Sequence, residues 1–94
     1  RRGEASALTN LGQAYTSVGE AFRAIELLRQ AFNITNNMGD VPGQATALFN
    51  LAMALEKLGD RVQAVEQVQK ALELFEIAKH PSAETVRRQL VEWQ

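Results

Sequence analysis

The chain is predicted to be all-α, built as two tandem helical hairpins followed by one terminal helix. Three observations carry that prediction. The sequence repeats at an offset of 40 residues, so that Gly3, Ala5, Ala7, Leu8, Asn10, Leu11, Ala14 and Gly19 meet Gly43, Ala45, Ala47, Leu48, Asn50, Leu51, Ala54 and Gly59. Ala24, Glu26 and Ala31 likewise meet Ala64, Glu66 and Ala71. A period between about 20 and 50 residues marks stacked supersecondary units, none of which buries its apolar face alone. Apolar residues also recur at helical spacing in both copies. No alternating strand pattern occurs anywhere in the chain.

The first helix is read from Leu8, Leu11, Tyr15 and Val18, and its copy from Leu48, Leu51, Leu55 and Leu58. Each stripe ends at glycine followed by an acid, Gly19-Glu20 and Gly59-Asp60. Glycine just past a helix end accepts the left-handed conformation, and the acid is placed to cap the next helix and complement its dipole. Each unit therefore reads as helix, tight turn, helix. The second helices carry Ala21, Ile25, Leu28 and Phe32, then Val62, Val65, Val68, Leu72 and Phe75, as their expected buried stripes. The former should stop at Gly39, because Pro42 fits only the opening turn of a new helix. The latter runs toward Lys79 and is closed by His80-Pro81. Ser82 is expected to cap a fifth helix, with Glu84 in its first turn and its end near Trp93. Several of the 14 alanines fall at matched positions in both copies. Small residues where helices cross let the backbones approach closely.

Ten basic against 11 acidic residues leave a formal charge of −1, which argues against a nucleic-acid footprint. No apolar run approaches the roughly 18 residues that would span a bilayer, so no membrane role is expected. With no cysteine the chain has neither disulfide nor thiolate metal site, which fits the reducing cytoplasm. Position 1 is Arg and the repeat is already running by Leu8, so the chain reads as a piece of a longer protein, its C-terminal end.

These residues resemble the tetratricopeptide repeat. Leu8, Leu11, Gly12, Tyr15, Ala24, Leu28 and Ala31 fill that family's motif places in order, and Leu48, Leu51, Ala52, Leu55, Ala64, Val68 and Ala71 fill them again. The resemblance covers nearly the whole chain and implies an α-α superhelix: a single domain over 1–94, with repeat one at about 3–40, repeat two at about 42–80 and a capping helix at about 82–93. Two features depart from the pattern. The period is 40 where the family's usual repeat is shorter, and Asn36 and Glu76 stand where the motif proline would be. All the extra residues fall between Ala31 and Ala45, which lengthens the second helix by up to about 9 Å. This looks like the long-repeat branch seen in kinesin light chain and in bacterial signalling proteins, where such repeats often sit beside a nucleotide-binding or effector domain.

In that family the first helices line the concave side. The resemblance therefore implies a partner-binding face of Ser6, Thr9, Asn10, Gln13, Thr16 and Ser17, joined by Thr46, Phe49, Asn50, Met53, Glu56 and Lys57. The carboxamides of Asn10 and Asn50 can donate and accept, as a clamp on a peptide main chain requires, while Phe49 and Met53 would pack its apolar side chains. The alternative is that each Asn bonds the neighbouring helices and fixes the stacking. The family's carboxylate-clamp variant is not expected, since Gln13 and Met53 stand where its Asn would be and Lys57 is the one inward base.

Other candidate chemistry is thin. His80 with Glu76 offers two ligands where a protein-supplied metal site wants three or four, so a helix-end histidine is the expected reading. The carboxylates come with helical partners, Glu66 with Lys70, Glu76 with Lys79, Glu84 with Arg88 and Arg88 with Glu92. No such pair sits near a nucleophile, so no enzyme activity, cofactor or metal is expected. Trp93 is expected to close the stack with Val86 and Leu90 rather than to anchor a partner. The expected function is a protein- or peptide-binding scaffold. Its rivals are a structural end-piece that caps or oligomerises its parent through a bare N-terminal face, and a small-ligand or signalling-peptide sensor.

Overall fold

The computed structural model describes residues 2–94, and side chains from residue 3 onward; Arg1, where the expected domain begins, lies outside the described residues. Five helices occur in chain order: α1 (Arg2–Ser17), α2 (Ala21–Met38), α3 (Val41–Lys57), α4 (Arg61–Ile77) and α5 (Ser82–Trp93). No strand occurs among the described residues. Each helix packs on the next, and α1 also packs on α3, the arrangement of a helical-repeat superhelix.

The helix ends are set by one device used four times. Gly19, Gly39, Gly59 and Lys79 all have positive φ, at intervals of 20 residues. Behind each of them the next N–H reaches back across the turn: Glu20 to the Tyr15 carbonyl at 2.8 Å, Asp40 to Thr35 at 2.9 Å, Asp60 to Leu55 at 3.0 Å and His80 to Phe75 at 2.9 Å. That bond satisfies a carbonyl the helix would otherwise leave open, and it needs a left-handed residue at the turn. Lys79 fills this place with an ordinary side chain, at φ 54.

The residue after the turn then starts the next helix, with unequal success. Asp40 Oδ1 accepts the N–H of Gly43 at 3.0 Å, and Asp60 Oδ1 accepts that of Gln63 at 3.1 Å. Glu20 makes no side-chain cap, which corrects the expectation for Gly19-Glu20. Its side chain is a methylene longer than aspartate and does not fold back onto the first turn. Ser82 is likewise not the cap of α5; it is the first helical residue, and its own N–H donates to His80 Nδ1 at 3.1 Å. The histidine ring takes the capping role.

The core runs along the helix seams. Ala24, Leu28, Ala52, Ala64, Val68 and Ala71 are fully buried, and Leu48, Leu51, Leu55, Phe75 and Val86 nearly so. Leu90 and Trp93 pack on this cluster, and the Arg61 guanidinium lies 5.4 Å from the Trp93 ring. Four residues of the expected stripes are not covered. Val18 and Leu58 lie past the ends of α1 and α3, and Val62 in the first turn of α4 is 74% exposed, the seam there being made by Ala64. Leu11 is 46% exposed, whereas its copy Leu51 is 4% exposed.

Of the expected helical ion pairs, Glu84–Arg88 forms at 3.9 Å. Glu76 does not meet Lys79; it meets Arg87 at 2.6 Å, joining α4 to α5, and Arg87 also meets Glu84 at 3.0 Å. The Glu66–Lys70 and Arg88–Glu92 pairs are absent among the described residues. All the partners are solvated, so the longer-range pair is no costlier than the local one.

Candidate functional site

The first helices α1 and α3 lie side by side, and their seam is tied at mid-height by polar groups. Gln13 Nε2 donates to Asn50 Oδ1 at 2.9 Å, and Asn50 Nδ2 donates to the Thr46 carbonyl one turn back at 2.9 Å. Asn50 is 8% exposed, so its carboxamide would be costly to leave unpaired. Its copy Asn10 is exposed, and its side chain makes no hydrogen bond among the described residues. One chemical group thus sits in two settings, bridging in repeat two and free in repeat one.

Two depressions open on this face. One, of about 520 Å³, is lined by Gln13, Thr16, Ser17, Asn50, Met53 and Lys57. Every one of these residues belongs to the face expected from sequence. The lining holds no carboxylate, and Lys57 has no ion pair among the described residues. Thr16 donates its hydroxyl to the Gly12 carbonyl at 2.9 Å, which leaves that oxygen with acceptor capacity only. The other depression, of about 360 Å³, is lined by Ser6, Thr9, Asn10 and Thr46 together with Ala5, Thr35, Asp40, Pro42 and Gly43. Thr9 and Thr46 also spend their hydroxyl protons on carbonyls one turn back, at 2.9 Å each.

Two expected residues line neither depression. Phe49 is half-buried and packs on the core cluster, and Glu56 is held by Arg61 at 3.3 Å across the α3–α4 turn. Thr35 enters from α2, where the sequence pattern placed no site residue. Its one signal is a hydroxyl at the place that Phe75 occupies in the second copy. A third depression, of about 390 Å³, lies over Leu48 and Leu51 between α2 and α4, with Arg29 and Lys70 at its sides.

The seam therefore offers donors, acceptors, one cation and one soft apolar side chain. Such groups can donate and accept hydrogen bonds and make apolar contacts. No helix among the described residues is long and apolar enough to cross a membrane. A search of curated proteins finds no match to the chain. The sequence model of the tetratricopeptide repeat, whose members are generally protein-interaction modules, matches residues 3–77. With its helices paired and packed in tandem as that match requires, the chain belongs to the tetratricopeptide repeat family.

Proposed function

We propose that the chain is a cytoplasmic scaffold module that holds a short segment of a partner protein along the α1–α3 seam. The observation that carries this reading is the depression between Gln13 and Lys57, where polar groups from two helices converge without an opposing carboxylate. In this reading Lys57 takes an acidic side chain or a main-chain carbonyl, and Met53 packs an apolar side chain. Thr16, Ser17 and the second N–H of Asn50 pair with the segment's backbone. Asn10 extends the same recognition into the neighbouring depression beside Thr9. Phe49 and Glu56 border the face and shape it without lining either depression.

The test is a selection of 12-residue peptides on the immobilised chain, followed by anisotropy titration of the strongest binder. Lys57→Glu and Met53→Ala are expected to weaken that peptide by roughly tenfold or more, the size of one lost charged or apolar contact. Undiminished affinity in both variants would remove the seam from consideration. A second reading, a structural end-piece that self-associates through α1, draws on the bare Leu11. A strict monomer by light scattering at high concentration rejects it.

A further inference from the structure

The second helices α2 and α4 each pack on α3 and hardly meet one another, which leaves a cleft of about 390 Å³ between them. Its floor is Leu48 and Leu51 of α3. These two lie roughly 150° around that helix from Asn50, Met53 and Lys57, so the cleft and the α1–α3 seam open on opposite sides. Arg29, Phe32 and Asn33 form the α2 wall. Gln63, Gln67 and Lys70, spaced i, i+4, i+7 on one helical face, form the α4 wall.

Charge distinguishes this cleft. Its lining carries two cations and no carboxylate, in a chain whose formal charge is −1. Arg61, Arg87 and Arg88 each meet a carboxylate, and Arg23 lies over the Tyr15 ring. Arg29 and Lys70 meet neither among the described residues. Glu26, Glu66 and Glu73 stand about one turn from them on the same helices, yet none lines the cleft or pairs with either cation. The Asp60 carboxylate is already occupied, accepting the Gln63 N–H at 3.1 Å and Gln63 Nε2 at 2.9 Å. Under the 40-residue shift Arg29 falls one residue from Lys70, so the two cations stand at about the same height on facing walls. Like charges gathered in a cleft over an apolar floor concentrate a field that draws an anion between them.

We propose that the α2–α4 cleft docks an acidic segment of a partner protein, one with carboxylates on either side of a large apolar side chain. A carboxylate placed between Arg29 and Lys70 relieves their repulsion and accepts hydrogen bonds from both. The apolar side chain rests against half-buried Phe32, over Leu48 and Leu51. Asn33 and Gln67, whose carboxamides make no hydrogen bond among the described residues, pair with the segment's main chain. The α4 wall from Gln63 to Lys70 is about 10 Å long, the span of roughly three extended residues, so it suits a chain segment better than a single small anion. Nothing in this rests on what the seam holds.

The experiment titrates the isotope-labelled 94-residue chain, followed by NMR, with a capped pentapeptide that sets phenylalanine between two pairs of glutamates, and with its glutamine counterpart. The acidic peptide is expected to shift the Leu48 and Leu51 signals and the Gln67 side-chain amide to saturation, and to bind roughly tenfold or more tightly than the neutral one. Arg29→Gln combined with Lys70→Gln is expected to remove that preference with little change in melting temperature, since both side chains are exposed. Lys57→Gln, on the seam, is expected to leave it intact. The absence of saturable shifts, equal affinity for the two peptides, or shifts that follow Lys57 and spare Leu48 and Leu51 would each overturn the proposal. Inorganic phosphate shifting the same signals at the same concentration would overturn it in favour of a free-anion site. A dimer by light scattering that the Arg29→Gln, Lys70→Gln variant disperses would overturn it in favour of a second copy.

Discussion

A β-carbon built on Gly12 would lie 2.7 Å from Cγ of Leu28, closer than two packed carbons can approach. The α1–α2 crossing is therefore closed by glycine against leucine. Forty residues on, the same two places hold Ala52 and Val68, both fully buried. One carbon has moved across the interface and the filled volume is conserved, which is how tightly packed helices tolerate substitution.

Gly12→Ala should therefore destabilise the chain, the overpacking outweighing alanine's better helix propensity to leave a net loss of about 1 kcal/mol. Leu28→Val alone should cost about 1 kcal/mol through the void it opens. Together they reproduce the Ala52–Val68 pairing and should recover most of both losses. Urea denaturation of the four chains measures the coupling, and simple additivity would count against the packing argument.

Lys79 is the one residue other than glycine with positive φ among the described residues, at a place filled elsewhere by Gly19, Gly39 and Gly59. Lys79→Gly should stabilise the chain by about 1 kcal/mol, since the left-handed penalty disappears and only part of it returns as unfolded-state entropy. For a domain of this size the melting temperature should rise by roughly 4–8 °C.

The acids at the hairpin turns are not equivalent. Asp40→Ala removes a carboxylate that caps α3 through Gly43 and should cost about 1 kcal/mol. Glu20→Ala removes a side chain that makes no cap and should change stability by less than about 0.5 kcal/mol. Thermal melts of the two variants side by side settle the contrast, and equal losses would contradict it.

Asn10 and Asn50 should separate in the same way. Asn50→Ala takes away the acceptor of Gln13 and a buried amide, for an expected loss of about 1–2 kcal/mol. Asn10→Ala should leave the melting temperature of the 94-residue chain unchanged. Peptide affinity measured on the same variants then reports binding apart from stacking.

Much of the fold was legible because its punctuation is local. Gly39 before Asp40, and Gly59 before Asp60, state where one helix stops and the next starts, and the structure places both ends there. Where sequence and structure part, a longer-range or geometric fact intervenes. Ser82 has the chemistry of a cap, yet the turn set by Lys79 carries the His80 ring over its N–H. Val62 fits the helical period, but α4 begins so close to it that no neighbour reaches across. On the candidate face, Lys57 and Met53 were expected and do line a depression, whereas Thr35 enters from a helix whose apolar stripe concealed it.

From the residues alone came the helices, their ends and their pairing in tandem, because helix signals are carried within a turn or two of the residues that make them. Folding in three dimensions decided which of two identical stripes is covered and which of two asparagines is bridged. Leu11 and Leu51 stand among the same residues at matched places, Ala7, Leu8, Asn10 and Ala14 against Ala47, Leu48, Asn50 and Ala54; a helix packs over one of them and not the other. Burial is a property of the neighbour as much as of the residue, and a neighbour 20 or 40 positions away leaves no mark on the segment it covers.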